Sequence, residues 1–350
     1  MHTKSKRMNI FEHKWLCGLL APLSWIYGGV TEVRNWFYDR GWLHSEKISD
    51  CKIISIGNIT VGGTGKTPAV AAIAQALQQS GKRVAILSRG YGRNTNGTVV
   101  VSDGASILST PSESGDEPFL LAQKLPGVIV IAERDRVKGA HLLREKFKPD
   151  VIILDDAFQH RRIQRDIDIV LIDSSVPLEC YSMLPSGMLR ENWHNLKRAD
   201  MIWLTRINQS AHVNHLMKHI QKITSVPVIQ TRHQPAGLFS PSRKKIALKQ
   251  INGKRIYLFS GIGNPASFRK TVVSLGALVI SEKIFQDHHA YSGTDIEKIV
   301  EQAGKEHIDF IITTEKDMAK LSAIIDPTWP IHFLSIELET EVPLAKLTKV

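Results

Sequence analysis

Closely spaced glycines followed by lysine and threonine are the residue types that hold a phosphate, and one segment combines them. It reads Gly57-Asn58-Ile59-Thr60-Val61-Gly62-Gly63-Thr64-Gly65-Lys66-Thr67-Pro68. An apolar run, residues 53–56, precedes it, and a helix-length piece, residues 67–80, follows, so the context is strand, loop, helix. Glycines let backbone N–H groups close around phosphate oxygens, and a helix N-terminus adds partial positive charge. Lys66 has the reach for β- and γ-phosphates, and the Thr67 hydroxyl can ligate magnesium. Pro68 falls in the first helical turn, where its missing N–H costs nothing. Thr60 to Thr67 are the expected nucleotide-phosphate residues.

Magnesium also needs carboxylates, and the buried-strand run 151–154 ends in Asp155-Asp156. Ligands of open α/β sheets bind at that carboxyl edge, and magnesium takes one or two carboxylates beside phosphate oxygens. A turn with a capping aspartate is the other reading of the pair. Arg89 and Arg93 follow the strand 84–87 and would reach the same edge, or stand as solvated loop arginines. Asp116, just before Pro118, fits a helix N-terminus on local sequence alone. The phosphate loop departs from the strict pattern at Thr60, which stands where a glycine belongs six positions before the lysine. Its ending resembles the loop of ParA/MinD-type ATPases, whose pattern is Lys-Gly-Gly-x-Gly-Lys-Thr, but Val61 takes the place of their first lysine.

These residues must be held by alternating strands and helices. Apolar runs at 53–56, 84–87, 128–131, 151–154, 167–172, 201–204 and 226–230 read as strands, several continuously apolar as in parallel strands covered on both faces. Residues 67–80 and 118–125 read as helices between them, giving βαβ units. A basic, turn-rich stretch from Gln234 to Lys254 separates these from a second set, with strands at 255–259 and 310–313 and helices at 265–275 and 294–303. The expected fold is α/β, a P-loop NTPase-like mostly parallel sheet flanked by helices, with a second, smaller α/β domain. The expected division is 1–42, 43–230 and 231–350, and 350 residues suit about two domains.

Composition excludes a disordered chain, a collagen-like repeat and a polytopic membrane protein, with 43% hydrophobic and 23% charged residues. Forty-five Lys+Arg against 34 Asp+Glu leave a net charge of +11, which favours an anionic partner. Cys17, Cys51 and Cys180 are widely spaced, offering neither a zinc ribbon nor a disulfide framework. At the N-terminus Lys4, Lys6, Arg7 and Lys14 precede a run from Trp15 to Thr31 without charge. That run is shorter than the ~20 apolar residues of a spanning helix and is broken by Gly18, Pro22, Ser24, Gly28 and Gly29. Trp15, Trp25, Trp36 and Trp42 with the lysines suit a helix lying in an anionic membrane surface, and a helix packed on its own domain is the other reading. His212, His215 and His219 would share one helical face without an acidic partner. Arg243, Lys244, Lys245 and Lys249 lack the interleaved aromatics of a nucleic-acid surface, and neither nucleic acid nor an obligate protein partner is expected.

Taken together, several motifs resemble the tetraacyldisaccharide 4'-kinase family. They are residues 55–68, Ser88-Arg89-Gly90-Tyr91-Gly92-Arg93, Gly115-Asp116-Glu117-Pro118, Asp155-Asp156-Ala157-Phe158-Gln159-His160, Pro185-Ser186-Gly187-Met188-Leu189-Arg190-Glu191, Gly261-Ile262-Gly263-Asn264-Pro265 and Phe285-Gln286-Asp287-His288. Ala157 stands where many relatives have glycine. The resemblance implies transfer of the γ-phosphate of ATP, with Mg²⁺, to the 4'-hydroxyl of a tetraacyldisaccharide 1-phosphate lipid A precursor, giving lipid IVA. It implies a peripheral or monotopic enzyme at the cytoplasmic face of the inner membrane. By the same resemblance Lys66 and Thr67 are phosphate and metal residues, Asp155 and Asp156 metal-side acids, and Asp116 the base with His288 as its partner. Arg89, Tyr91, Glu117, Arg134, Arg136, Gln159 and Arg190 match other active-site positions. The competing reading is a ParA/MinD-like membrane-associated switch ATPase.

Overall fold

The computed structural model describes residues 14–321, 324–326 and 329–344. Its strands are β1 (Lys52–Asn58), β2 (Val84–Ser88), β3 (Val99–Asp103), β4 (Ile129–Ala132), β5 (Val151–Asp155), β6 (Ile167–Asp173), β7 (Met201–Thr205), β8 (Val228–Phe239), β9 (Lys245–Ile246), β10 (Arg255–Ser260), β11 (Leu278–Ile284), β12 (Phe310–Thr314) and β13 (Ile331–Thr340). The helices are α1 (Lys14–Asp39), α2 (Lys66–Gln79), α3 (Pro111–Ser114), α4 (Asp116–Lys124), α5 (Arg136–Lys146), α6 (Val213–Ile223), α7 (Pro265–Ser274), α8 (Gly293–Lys305) and α9 (Glu315–Leu321). The strands form one sheet in the order β11-β10-β12-β13-β8-β7-β6-β1-β5-β2-β4-β3, with β9 beside β8.

Side-chain alternation splits the core along this sheet. Ile54 and Ile56 of β1, Val84 and Ile86 of β2, and Val151 and Ile153 of β5 point to the face covered by α2 and α4. Ile53, Ala85, Leu87, Ile152 and Leu154 point to the face covered by α5. Because both faces are covered, the period-2 pattern is apolar at every position, which is why these strands read as unbroken runs. The other half repeats the scheme, with Tyr257 and Phe259 on one face of β10 and Ile256 and Leu258 on the other.

The stretch from Gln234 corrects the sequence reading. It is not a turn-rich separator at its start, because β8 continues to Phe239 and joins the two halves. Val228 to Gln230 pair parallel with β7, and from Thr231 onward the strand pairs antiparallel with β13. Pro235 is accommodated at a register shift opposite Ser335 and Ile336, where the ladder tolerates a missing N–H. The edge strands β3 and β11, the strand β13 and the helix α5 were not anticipated.

Helix α1 packs along residues 183–195 of the first half through polar contacts. Ser24 Oγ donates to Ser186 Oγ (2.8 Å), Asn35 Nδ2 to Glu191 Oε2 (2.8 Å), and Arg34 to the Gln159 carbonyl (2.7 Å). The opposite stripe, Leu19, Leu23, Ile26, Val30 and Val33, repeats at helical spacing and is exposed, as are Trp25 and Trp42. Among the described residues no helix is long and apolar enough to cross a membrane. Lys4, Lys6 and Arg7, and the side chains of Lys14 and Trp15, lie outside the described residues.

Candidate active site

The carboxyl ends of β1, β2, β5, β10 and β12 all open on one cavity of about 580 Å³. The loop after β1 forms its floor. Gly62 and Gly65 take positive φ (99° and 92°), and a side chain at Gly65 would collide with His233 Nε2, so only glycine fits there. Asn58 Nδ2 donates to Thr64 Oγ1 (3.0 Å), Thr205 Oγ1 to the Thr64 carbonyl (2.8 Å), and the Val61 N–H to the Met188 carbonyl (2.8 Å). The loop is thus fastened from three directions, with Lys66 opening α2.

Asp155 and Asp156 have opposite electrostatic situations. Asp156 lies 3.7 Å from Lys66 Nζ and 2.8 Å from an Arg190 nitrogen. Burial alone would raise its pKa, but those two cations hold the carboxyl well below its ordinary value. Asp155 is 1% exposed; burial first, then Glu117 and Asp156, push it up to about 7. Ser88 Oγ donates to its Oδ2 (2.9 Å), while Oδ1 is buried with no hydrogen-bond partner. A buried carboxylate with one satisfied oxygen and one orphan beside a threonine hydroxyl and a phosphate loop is a donor set suited to a hard divalent cation. Magnesium therefore fits at Thr67, Asp155 and Asp156. Among the described residues no group of three His, Cys, Asp or Glu side chains makes an all-protein metal cage.

Across the cavity stand Arg89, Tyr91, Glu117, Arg190 and His288. His288 Nδ1 is 3.1 Å from Asp116 Oδ2, with the Tyr91 ring 5.0 Å from the imidazole. Asp116 is the first residue of α4, so its position serves both a helix terminus and a contact with the other half of the sheet. The loop Gly261-Ile262-Gly263-Asn264 approaches the phosphate loop so closely that a side chain at Gly263 would meet the Gly63 nitrogen at 2.9 Å.

Four expected site residues do not line the cavity: Asp116, which meets it through His288, and three others. Arg136 is buried and donates to the carbonyls of Glu133 (2.5 Å) and Asp155 (2.9 Å), so it props the strand end that presents Asp155. Gln159 Nε2 donates to the Asn58 carbonyl (3.0 Å) and ties the β5 loop to β1. Arg134 is exposed at the turn before α5. Arg93 is likewise a structural residue, donating to the carbonyls of Ala132 (2.8 Å) and Gly97 (2.6 Å). Sequence reasoning missed Arg206, His233, Asn264 and Lys316, all of which line the cavity. For Lys316 a signal of place was present: β12 ends at Thr314 and is followed at once by Glu315-Lys316-Asp317, charged residues at a strand's carboxyl end as after β5.

The model of the family described as tetraacyldisaccharide-1-P 4'-kinase matches residues 16–349. The chain belongs to this family. It is 42% identical over 334 residues to the tetraacyldisaccharide 4'-kinase of Syntrophus aciditrophicus (strain SB), spanning 92% of this chain and 89% of that one. It is 40% identical over 308 residues to the tetraacyldisaccharide 4'-kinase of Chlorobaculum parvum, spanning 87% and 84%. Among solved structures, the "apo" form of LpxK from Aquifex aeolicus in complex with ATP superposes with a TM-score of 0.76 at 33% identity, covering 95% of this chain and 98% of that one. Membership of the tetraacyldisaccharide-1-P 4'-kinase family displaces the switch-ATPase reading, and Val61, bonded by its backbone to Met188, supplies no second loop lysine. The P-loop NTPase-like sheet flanked by helices is the architecture of that ATP-complexed relative.

Proposed function

We propose that this chain transfers the γ-phosphate of ATP to the 4'-hydroxyl of a tetraacyldisaccharide 1-phosphate, giving lipid IVA. The observation that carries the reading is the Asp116–His288 pair, 3.1 Å apart, of which His288 lines the cavity floored by the phosphate loop and Asp116 stands directly behind it. Phosphoryl transfer asks for positioning and charge neutralisation more than covalent help. Residues 62–65 cradle the phosphates with backbone N–H groups, and Lys66 leaves its contact with Asp156 to meet them. Magnesium, held by Thr67, Asp155 and Asp156, supplies further charge neutralisation when bound.

The acceptor is a poor nucleophile until it loses its proton. Asp116 takes that proton, and His288 orients the carboxylate through its Nδ1–H. Arg89 and Arg190 add positive charge at the rim, suited to an anionic, phosphorylated acceptor. Residues 43–230 and 231–350 act as two lobes sharing β8, and their approach completes the site and limits access of water.

The lipid acceptor gives the exposed stripe of α1 a purpose. Residues 1–42 hold the enzyme peripherally on the anionic cytoplasmic face of the inner membrane, with the apolar stripe among acyl chains and the polar face on residues 183–195. The test is mass spectrometry of the lipid after incubation with ATP and magnesium. The expected result is a gain of one phosphoryl group that depends on the 4'-hydroxyl. Unaltered lipid alongside released ADP would overturn the proposal.

A further inference from the structure

Lys316 opens into the cavity from the second residue of α9, and its surroundings are unusual for a lysine. Its ammonium lies 3.3 Å from His288 Nε2, 3.3 Å from Glu117 Oε1 and 3.8 Å from Asp287 Oδ1. Burial opposes its charge, but Glu117, Asp287 and Asp116 more than offset this and leave it a firmer cation than an ordinary lysine. An ammonium has donors only, so toward His288 it can only donate. Nε2 must then be the accepting nitrogen, and the single ring proton of a neutral imidazole sits on Nδ1, facing Asp116. His288 is also held at a positive φ of 59°, a backbone conformation kept by its surroundings.

We propose that Lys316 is a positioning residue for phosphoryl transfer: it fixes the tautomer of His288 that presents Nδ1–H to Asp116, and it sets a fixed positive charge against the other ring nitrogen. This rests on the reading of Asp116 and His288 as the proton-handling pair. The charged groups around the imidazole are Asp116 from α4, Lys316 from α9 and Asp287 from its own loop. Lys320 from α9 lies 3.8 Å from Asp116, and Glu117 faces Lys316 from α4. With Lys316 removed, only carboxylates would face the two ring nitrogens directly. A second proton on Nε2, facing Asp287, would then meet no opposing charge, and the resulting cation beside Asp116 would make that carboxylate a weaker base.

The experiment is the pH profile of kcat/KM for lipid phosphorylation in wild type, Lys316→Met, Lys316→Arg and His288→Gln, and in His288→Gln combined with Lys316→Met. The expected result is an acid limb displaced to higher pH by about one unit or more in Lys316→Met, the scale of removing an adjacent unit charge. Lys316→Arg, which keeps charge and donors, restores the limb toward the wild-type position. In the His288→Gln background Lys316→Met moves no limb. A rate loss uniform across pH in both Lys316 variants would mean that Lys316 only joins the two lobes, and would overturn the proposal. If His288→Gln changes the profile and Lys316→Met does not, Lys316 alone has been misassigned. A His288→Gln profile identical to wild type would instead overturn the underlying pair and the proposal with it.

Discussion

His288 Nδ1 and Asp116 Oδ2 lie 3.1 Å apart although 172 positions separate them in the chain. Asp116 comes from the phosphate-loop half and His288 from the half that follows β8, so the pair exists only while both halves are docked. Two groups acting as one unit give non-additive losses. Asp116→Asn and His288→Ala should each lower kcat by about 10²- to 10⁴-fold, the range for losing general-base assistance. The double variant should be little worse than the poorer single one. Losses that multiply would show two independent roles.

Asp155 predicts a pH dependence of stability. Its folded-state pKa, about 7, is raised above its unfolded value. Its stabilising contribution is therefore fully present below the unfolded value and is lost as pH rises through about 7. In the metal-free protein Tm should fall from about pH 4 upward and level off above about pH 7, and Asp155→Asn should flatten that fall. Because a metal takes the ionised carboxylate, magnesium with nucleotide should raise Tm more at the higher pH. An equal slope in Asp155→Asn would remove Asp155 as its source.

Arg136 and Arg89 should separate cleanly. Arg136→Ala strands the buried carbonyls of Glu133 and Asp155, at about 1–3 kcal/mol for each unsatisfied group, so Tm should drop. Arg89 is exposed at the cavity rim, and Arg89→Ala should raise KM for the lipid with Tm unchanged. Thermal denaturation beside steady-state kinetics tests both, and an unshifted Tm in Arg136→Ala would contradict its propping role.

The stripe of α1 predicts binding to lipid surfaces. Leu23→Ser, Ile26→Ser and Val30→Ser together leave the contacts of Ser24 and Asn35 intact while removing apolar area. Sedimentation with anionic vesicles should fall, and wild-type binding should weaken in high salt without vanishing. Undiminished binding of the triple variant would refute the stripe as the anchor.

What the sequence made legible was local. The phosphate loop and Asp155-Asp156 each sit at the end of an unbroken apolar strand, so their neighbours in sequence announce their place in space. Pro235 and the basic residues after it obscured β8, because a register shift that tolerates proline depends on a partner, β13, about a hundred residues away. Arg136 shows the opposite failure: the family resemblance marks it as an active-site position but not that its guanidinium is spent on two backbone carbonyls. Lys316 escaped notice because its meaning lies in His288 and Glu117, which reach it from another loop and another helix. Pairings of that kind are set by the docking of the two halves, which no local periodicity encodes.

The most direct measurement follows the γ-phosphate itself. ATP labelled at that position is incubated with magnesium, a tetraacyldisaccharide 1-phosphate and either wild type or Lys66→Ala. Label should appear in the lipid at the 4'-position, formed about 10²-fold or more slowly by Lys66→Ala because one strong electrostatic donor is gone. Label appearing only as inorganic phosphate, or equal lipid labelling by both proteins, would contradict the proposed transfer.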